Sequence, residues 1–287
     1  LILKKLLLLI FLFALSYRAI PQKEFEKYGP MGSMVYTDLK EALKVENGVY
    51  KMDLSYKKLE PKLYDKLHKL KDLQALRLSG NEITEFPKNF GALYNLQYFA
   101  SINNPFTSFP SELKTLFMLA HLELSNTKID SIPSSIAYLS KLKTLKFTDT
   151  DDTLRLPLSM QYLKQLEDLQ IENCIMDSFP KPIFKISSLK FLYLAKTNTH
   201  FITRHLERME NLEIFILENN PISEIPNTIY KAQKLRVMSL RNNKITKLPD
   251  TISQLENLAL LDLRGNPISK EQLAIIKAML PGCEVKF

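Results

Sequence analysis

The chain has 287 residues, 45% of them hydrophobic, a formal net charge of +8 and two cysteines. The length alone suggests two globular domains, and the cysteine count leaves no disulfide framework to staple a small one. Lysine is scattered among aspartate and glutamate with no basic block, so a solvated lysine-rich surface is expected and nucleic acid is not the expected partner.

Residues 1–19 have the form of a secretory signal. Lys4 and Lys5 precede the apolar run Leu6 to Leu15, and Ala14-Leu15-Ser16 places small residues at the cleavage spacing. As a helix this run spans about 15 Å, half of a hydrocarbon core of roughly 30 Å, so no stable membrane insertion is expected after cleavage. Residues 20–34, with Pro21, Gly29, Pro30 and Gly32, read as a spacer. Its Phe25 and Tyr28 make it a candidate to fold back over a binding surface. A helical N-terminal cap is expected over 35–48, with Thr37 as N-cap and Asn47-Gly48 as stop.

From residue 49 to 268 the chain repeats itself. Leucine recurs at Leu73, Leu96, Leu119, Leu142, Leu166, Leu189, Leu212, Leu235 and Leu258, a step of about 23 residues that predicts a solenoid of about ten units. The unit from Leu235 reads Leu-Arg-Val-Met-Ser-Leu-Arg-Asn-Asn-Lys-Ile-Thr-Lys-Leu-Pro. Met238 and Leu240 alternate with period two, so both point inward from a strand while their neighbours point out. The column Asn81, Asn104, Thr127, Thr150, Cys174, Thr197, Asn220, Asn243, Asn266 marks where each strand ends. A buried Asn there satisfies backbone groups of its own and the adjacent coil. Thr and Cys do this less well, which predicts variable turns and lower local stability in the middle. The column Pro87, Pro110, Pro133, Pro157, Pro180, Pro226, Pro249 predicts an irregular convex side. Thr203 replaces proline in its unit and is expected to cap a helical turn over 204–209. Ser101 stands where an inward leucine belongs, and one residue is inserted after Asp152.

With this pattern the chain resembles the leucine-rich-repeat family, in its 23-residue typical subclass. The resemblance implies an α/β repeat fold: a curved horseshoe with a parallel sheet on the concave face, an irregular convex side with 3-10 or short helical turns, and helical caps at both ends. The second cap is expected over 269–287. Ser269 and Gln272 form a capping-box pair, Ile268 and Leu273 a staple, the helix ends near Leu280 at Pro281-Gly282, and Val285 and Phe287 alternate as a last strand. Eukaryotic extracellular members usually carry Cys-rich caps, so the resemblance further implies a bacterial protein, secreted, periplasmic or on the cell surface.

No motif for catalysis emerges. His200 and His205 are five apart, the wrong step for one helical face, and Asp149-Thr150-Asp151-Asp152 lacks the Gly and Glu of a calcium loop. Neither an enzyme, a metal nor a cofactor is expected. Cys174 and Cys283 lie too many coils apart to pair. The outward strand positions line the concave face. One column is Lys51, Ala75, Tyr98, His121, Thr144, Asp168, Phe191, Ile214, Val237, Leu260, and the next is Asp53, Arg77, Ala100, Glu123, Lys146, Gln170, Tyr193, Ile216, Ser239, Asp262. Phe191, Tyr193, Ile214, Ile216, Val237 and Leu260 form an apolar block beyond a polar middle, the expected partner-binding patch. The expected function is a non-enzymatic exported scaffold that binds a protein partner through its concave face. The alternatives are a structural or adhesive component that self-associates as a homodimer over the same patch, and an intracellular signalling scaffold if residues 1–19 are not a signal.

Overall fold

The computed structural model describes residues 21–287 apart from Glu46, 151–152 and 177–178. The expected signal over 1–19 and half of the acidic turn at 149–152 thus lie outside the described residues. Among the described residues, twelve parallel strands form one open sheet in sequence order. They are β1 (Val35–Tyr36), β2 (Lys51–Asp53), β3 (Ala75–Arg77), β4 (Tyr98–Ile102), β5 (His121–Thr127) and β6 (Thr144–Thr150), followed by β7 (Asp168–Glu172), β8 (Phe191–Ala195), β9 (Ile214–Ile216), β10 (Val237–Ser239), β11 (Leu260–Asp262) and β12 (Glu284–Lys286). Each coil places its strand against the previous one without a slip, so Ala75 pairs with Tyr98, Tyr98 with His121 and His121 with Thr144. The outward columns read from the repeat are therefore physical columns.

The interior is a stack of fully buried apolar residues, Met52, Leu76, Phe99, Leu122, Leu145, Leu169, Leu192, Phe215, Met238 and Leu261 among them. Burying each such side chain contributes roughly 1.5–3 kcal/mol. The convex side is built of 3-10 turns. Pro110, Pro133, Pro157, Pro226 and Pro249 stand in extended conformation immediately before them. Each proline resists continuing helix upstream and starts the turn that returns the chain to the sheet. At Thr203 the turn is shorter than expected: its hydroxyl accepts the His205 N–H at 3.2 Å, but only Leu206–Arg208 are helical, and as 3-10.

The asparagine column works as a ladder. Asn104 Oδ1 accepts from the backbone N–H groups of Asn81 and Ile83 in the preceding coil, both at 3.0 Å. Its Nδ2 donates to the Leu78 carbonyl and to Ser101 Oγ, both at 2.7 Å. The latter contact explains a hydroxyl at a wholly buried leucine position. In the middle, where Thr127 and Thr150 replace Asn, the chain does not turn away early. Strands β5 and β6 instead run for seven residues each and pair as far as Thr127 with Thr150. There the main-chain pairing of β5 with β6 extends through the column position itself.

A second column accompanies it. Gly80, Asn103, Asn126, Asp149, Asn173, Lys196, Asn219, Asn242 and Gly265 all have positive φ. This left-handed position costs most side chains roughly 1–2 kcal/mol, and Gly, Asn and Asp adopt it most readily. Its amides also form an outer ladder, with Asn126 donating to Asn103 at 2.9 Å and Asn242 to Asn219 at 2.8 Å.

Helical segments lie at both ends of the sheet. Helix α1 (Pro21–Glu26) precedes β1, and α2 (Leu39–Ala42) follows it. The cap of α2 is Asp38 rather than the expected Thr37. Its carboxylate accepts the N–H groups of Lys40 and Glu41 at 2.7 and 3.1 Å, two charge-assisted bonds that a hydroxyl one residue earlier does not make. A short α3 (Pro61–Tyr64) lies on the convex side of the first coil. At the far end, α4 (Lys270–Met279) is capped by Ser269, whose hydroxyl accepts the Gln272 N–H at 3.3 Å, and β12 adds the last strand. Cys174 is buried and Cys283 half-buried, both as free thiols.

Candidate binding face

The concave face has three zones. Over β8 to β11, Phe191, Ile214, Val237 and Leu260 are consecutive partners in one column, while Tyr193 and Ile216 are partners in the next, followed by Ser239 and Asp262. The six apolar residues are thus brought together. They are less exposed than the sequence implied: Phe191, Tyr193 and Ile214 are half-buried, and Ile216, Val237 and Leu260 are buried. Each column position has a neighbouring strand on either side, about 4.8 Å away, which limits what a short side chain can expose.

The middle zone over β5 to β7 is polar. His121 Nε2 lies 3.6 Å from Glu123 Oε2, and Gln170 Nε2 donates to the Asp168 carboxylate at 2.9 Å. Burial pushes the Glu123 carboxyl up, but the His121 ring and the cationic Lys146 and Arg77 outweigh it and hold the group below its ordinary value of 4.5. The stabilisation from ionised Glu123 is complete above pH 4.5 and is lost as pH falls through the lower folded value. Glu123→Gln should therefore lower the urea midpoint at about pH 6 and flatten its fall towards about pH 3 relative to the parent. An unchanged slope on the acid side shows that Glu123 carries none of it.

The N-terminal zone is covered by the chain itself. Within the expected spacer 20–34, the described residues from Pro21 onward fold back onto β2 to β4, away from the C-terminal patch. Phe25 is 1% exposed and lies against Ala75, Tyr98 and Ala100, a small cluster on the outer face of the sheet and separate from the interior core. Its ring meets Tyr98 edge-on at 5.5 Å, and the Arg77 guanidinium sits 4.2 Å from its centre. Such a cation–π contact is worth about 0.5–2 kcal/mol. Tyr28 packs on Tyr98 at 5.5 Å, and Lys51 Nζ donates to the Glu26 carbonyl at 2.9 Å. Burial pushes the phenols of Tyr28 and Tyr98 up to about 12. Beside this cluster lies an open cleft of about 470 Å³, lined by Asp53, Arg77, Ser79, Tyr98 and Glu123. Phe25 and Tyr28 were legible as aromatic residues in a polar stretch, but nothing periodic connected them to Tyr98.

His205 Nδ1 faces Glu207 Oε1 at 3.4 Å and its ring packs on Phe184.

A parallel-sheet solenoid with a continuous outward face belongs to the class of repeat scaffolds that present a preformed surface. Three family models match the chain: a leucine-rich repeat region over residues 109–219, and leucine-rich repeats over 210–268 and 72–93. The chain is a leucine-rich-repeat protein. No curated protein matches it. Among solved structures, the plant peptide hormone receptor RGFR1 in complex with RGF2 is similar at 20% identity and a TM-score of 0.62, over 82% of this chain and 42% of the receptor chain. An internalin (inlF) from Listeria monocytogenes is similar at 18% identity and a TM-score of 0.57, over 77% of this chain and 75% of that one. A leucine-rich-repeat protein of Leptospira interrogans is 23% identical over 88% of this chain and all of that one, with a TM-score of 0.37. These likenesses concern the fold.

Proposed function

We propose that this chain is an exported, non-enzymatic scaffold that binds a protein partner through its concave face, with Phe191, Tyr193, Ile214, Ile216, Val237 and Leu260 as the partner-binding patch. The observation that carries the reading is the register over β8 to β11, which sets six apolar side chains side by side on the outward face of the sheet. Aromatic and aliphatic anchors gathered in one place are what a binding hot spot requires, and a rigid scaffold limits the ordering cost of association. The similar receptor fold seen with RGF2 bound supports a peptide or protein as the partner class. Among the described residues no helix is long and apolar enough to cross a membrane. Export rests on the form of residues 1–19 and is tested by the mass of the mature N-terminus.

Affinity capture with the parent chain and with Tyr193→Asp/Ile216→Asp tests the patch. The double variant should keep the far-UV circular dichroism of the parent and lose the captured partner; capture at parental levels removes the patch from consideration. Sedimentation at several concentrations separates the homodimer reading, which requires a parent dimer that the double variant abolishes.

A further inference from the structure

The two outward columns over β2 to β5 contain a preformed hollow. Ala75 and Ala100 are the only alanines in their respective columns, and register sets them diagonally across β3 and β4. The small side chains leave a depression whose walls are Tyr98 and Arg77. Both walls are braced from behind. Tyr98 stacks on His121 at 4.5 Å with the rings 11° from parallel, and Arg77 Nη1 lies 3.4 Å from Asp53 Oδ2. None of these side chains fills the interior of the coil. Together they make a socket for an aromatic ring, and Phe25 is the ring found in it.

The occupant belongs to a segment that occurs once in the chain, outside the repeating coils. Besides the rings of Phe25 and Tyr28, the bond from Lys51 Nζ to the Glu26 carbonyl at 2.9 Å holds it to the sheet. It joins β1 through Gly29-Pro30-Met31-Gly32, in which both glycines have positive φ and Met31 is fully exposed. Glycine pairs of this kind let a segment swing while β1 keeps its place in the sheet.

We propose that this socket is a second binding site, for a peptide partner presenting an aromatic side chain followed by a free main-chain carbonyl, and that the segment Phe25–Tyr28 fills it in cis as a tethered competitor. Arg77 and Tyr98 hold the ring and Lys51 takes the carbonyl. The site lies at the opposite end of the face from β8 to β11, so failure of either reading leaves the other standing.

The probe is a fluorescein-labelled peptide of residues 21–30, offered to the full chain and followed by anisotropy. A short tether holds its segment at an effective concentration on the order of millimolar, so the wild type should bind the free peptide weakly. Phe25→Ala should empty the socket and bind it on the order of tenfold more tightly. Adding Arg77→Ala should remove that gain, and a probe peptide carrying Ala for its Phe should not bind. Equal binding by wild type and Phe25→Ala, or equal binding of the two peptides, overturns the proposal. Hydrogen exchange on the wild type gives a test that needs no variant. The Lys27 and Tyr28 amides should exchange at least about tenfold faster than those of β3 and β4, as a locally opening segment does. Equal protection also overturns it.

Discussion

Replacing Asn104 by alanine is expected to destabilise the protein by about 3–4 kcal/mol, since it strands several buried backbone groups that each cost about 1–3 kcal/mol unpaired. The residue is wholly buried. Its side chain serves the Asn81 and Ile83 N–H groups, the Leu78 carbonyl and Ser101 Oγ. Thr127→Ala is the control one coil later. Thr127 Oγ1 meets the Ile129 N–H at the long distance of 3.5 Å, so that change should cost under about 1 kcal/mol. Urea unfolding of both variants measures the difference. Equal losses mean that the asparagine ladder stabilises no more than the threonines that interrupt it.

Phe147→Ala should cost about 3–5 kcal/mol, the range for deleting a buried aromatic side chain and leaving its cavity. Phe147 is 0% exposed and packs against Phe109 at 6.0 Å. It sits in β6, midway along a stack whose stability is a sum of coil and interface contributions. A cavity there weakens both central interfaces and uncouples the two ends. The urea transition should therefore broaden as well as shift, with a smaller apparent slope than the parent. A shift with unchanged slope shows that the whole solenoid still unfolds as one unit.

The effects of these two substitutions stem from the repeat, and the repeat was legible in the chain. Leucines about 23 residues apart imply coils of equal length, equal coils imply strands in constant register, and constant register converts a list of outward residues into columns. That is why Phe191, Ile214, Val237 and Leu260 stand beside one another as their spacing implies. The end of the last helix at Leu280 was legible for the same local reason, because Pro281-Gly282 cannot continue it. Other local features were less legible. Asp38 outcompetes Thr37 as a cap, and the left-handed column running from Gly80 to Gly265 mixes Gly, Asn, Asp and Lys, so it is masked by the stronger asparagine signal beside it.

The position of residues 21–36 is of a different kind. No spacing in the chain says that Phe25 rests between Ala75 and Ala100, or that β1 pairs with β2 before the cap helix. Repeating coils contact chiefly their neighbours, so a periodic pattern carries nearly all the information their packing requires. A segment that occurs once has no such pattern. It comes to rest by long-range complementarity, ring against hollow and carbonyl against lysine, among residues that only the completed sheet brings together. The chain by itself thus determined the scaffold and the order of residues along its face. The tertiary structure alone decided which part of that face residues 21–36 cover.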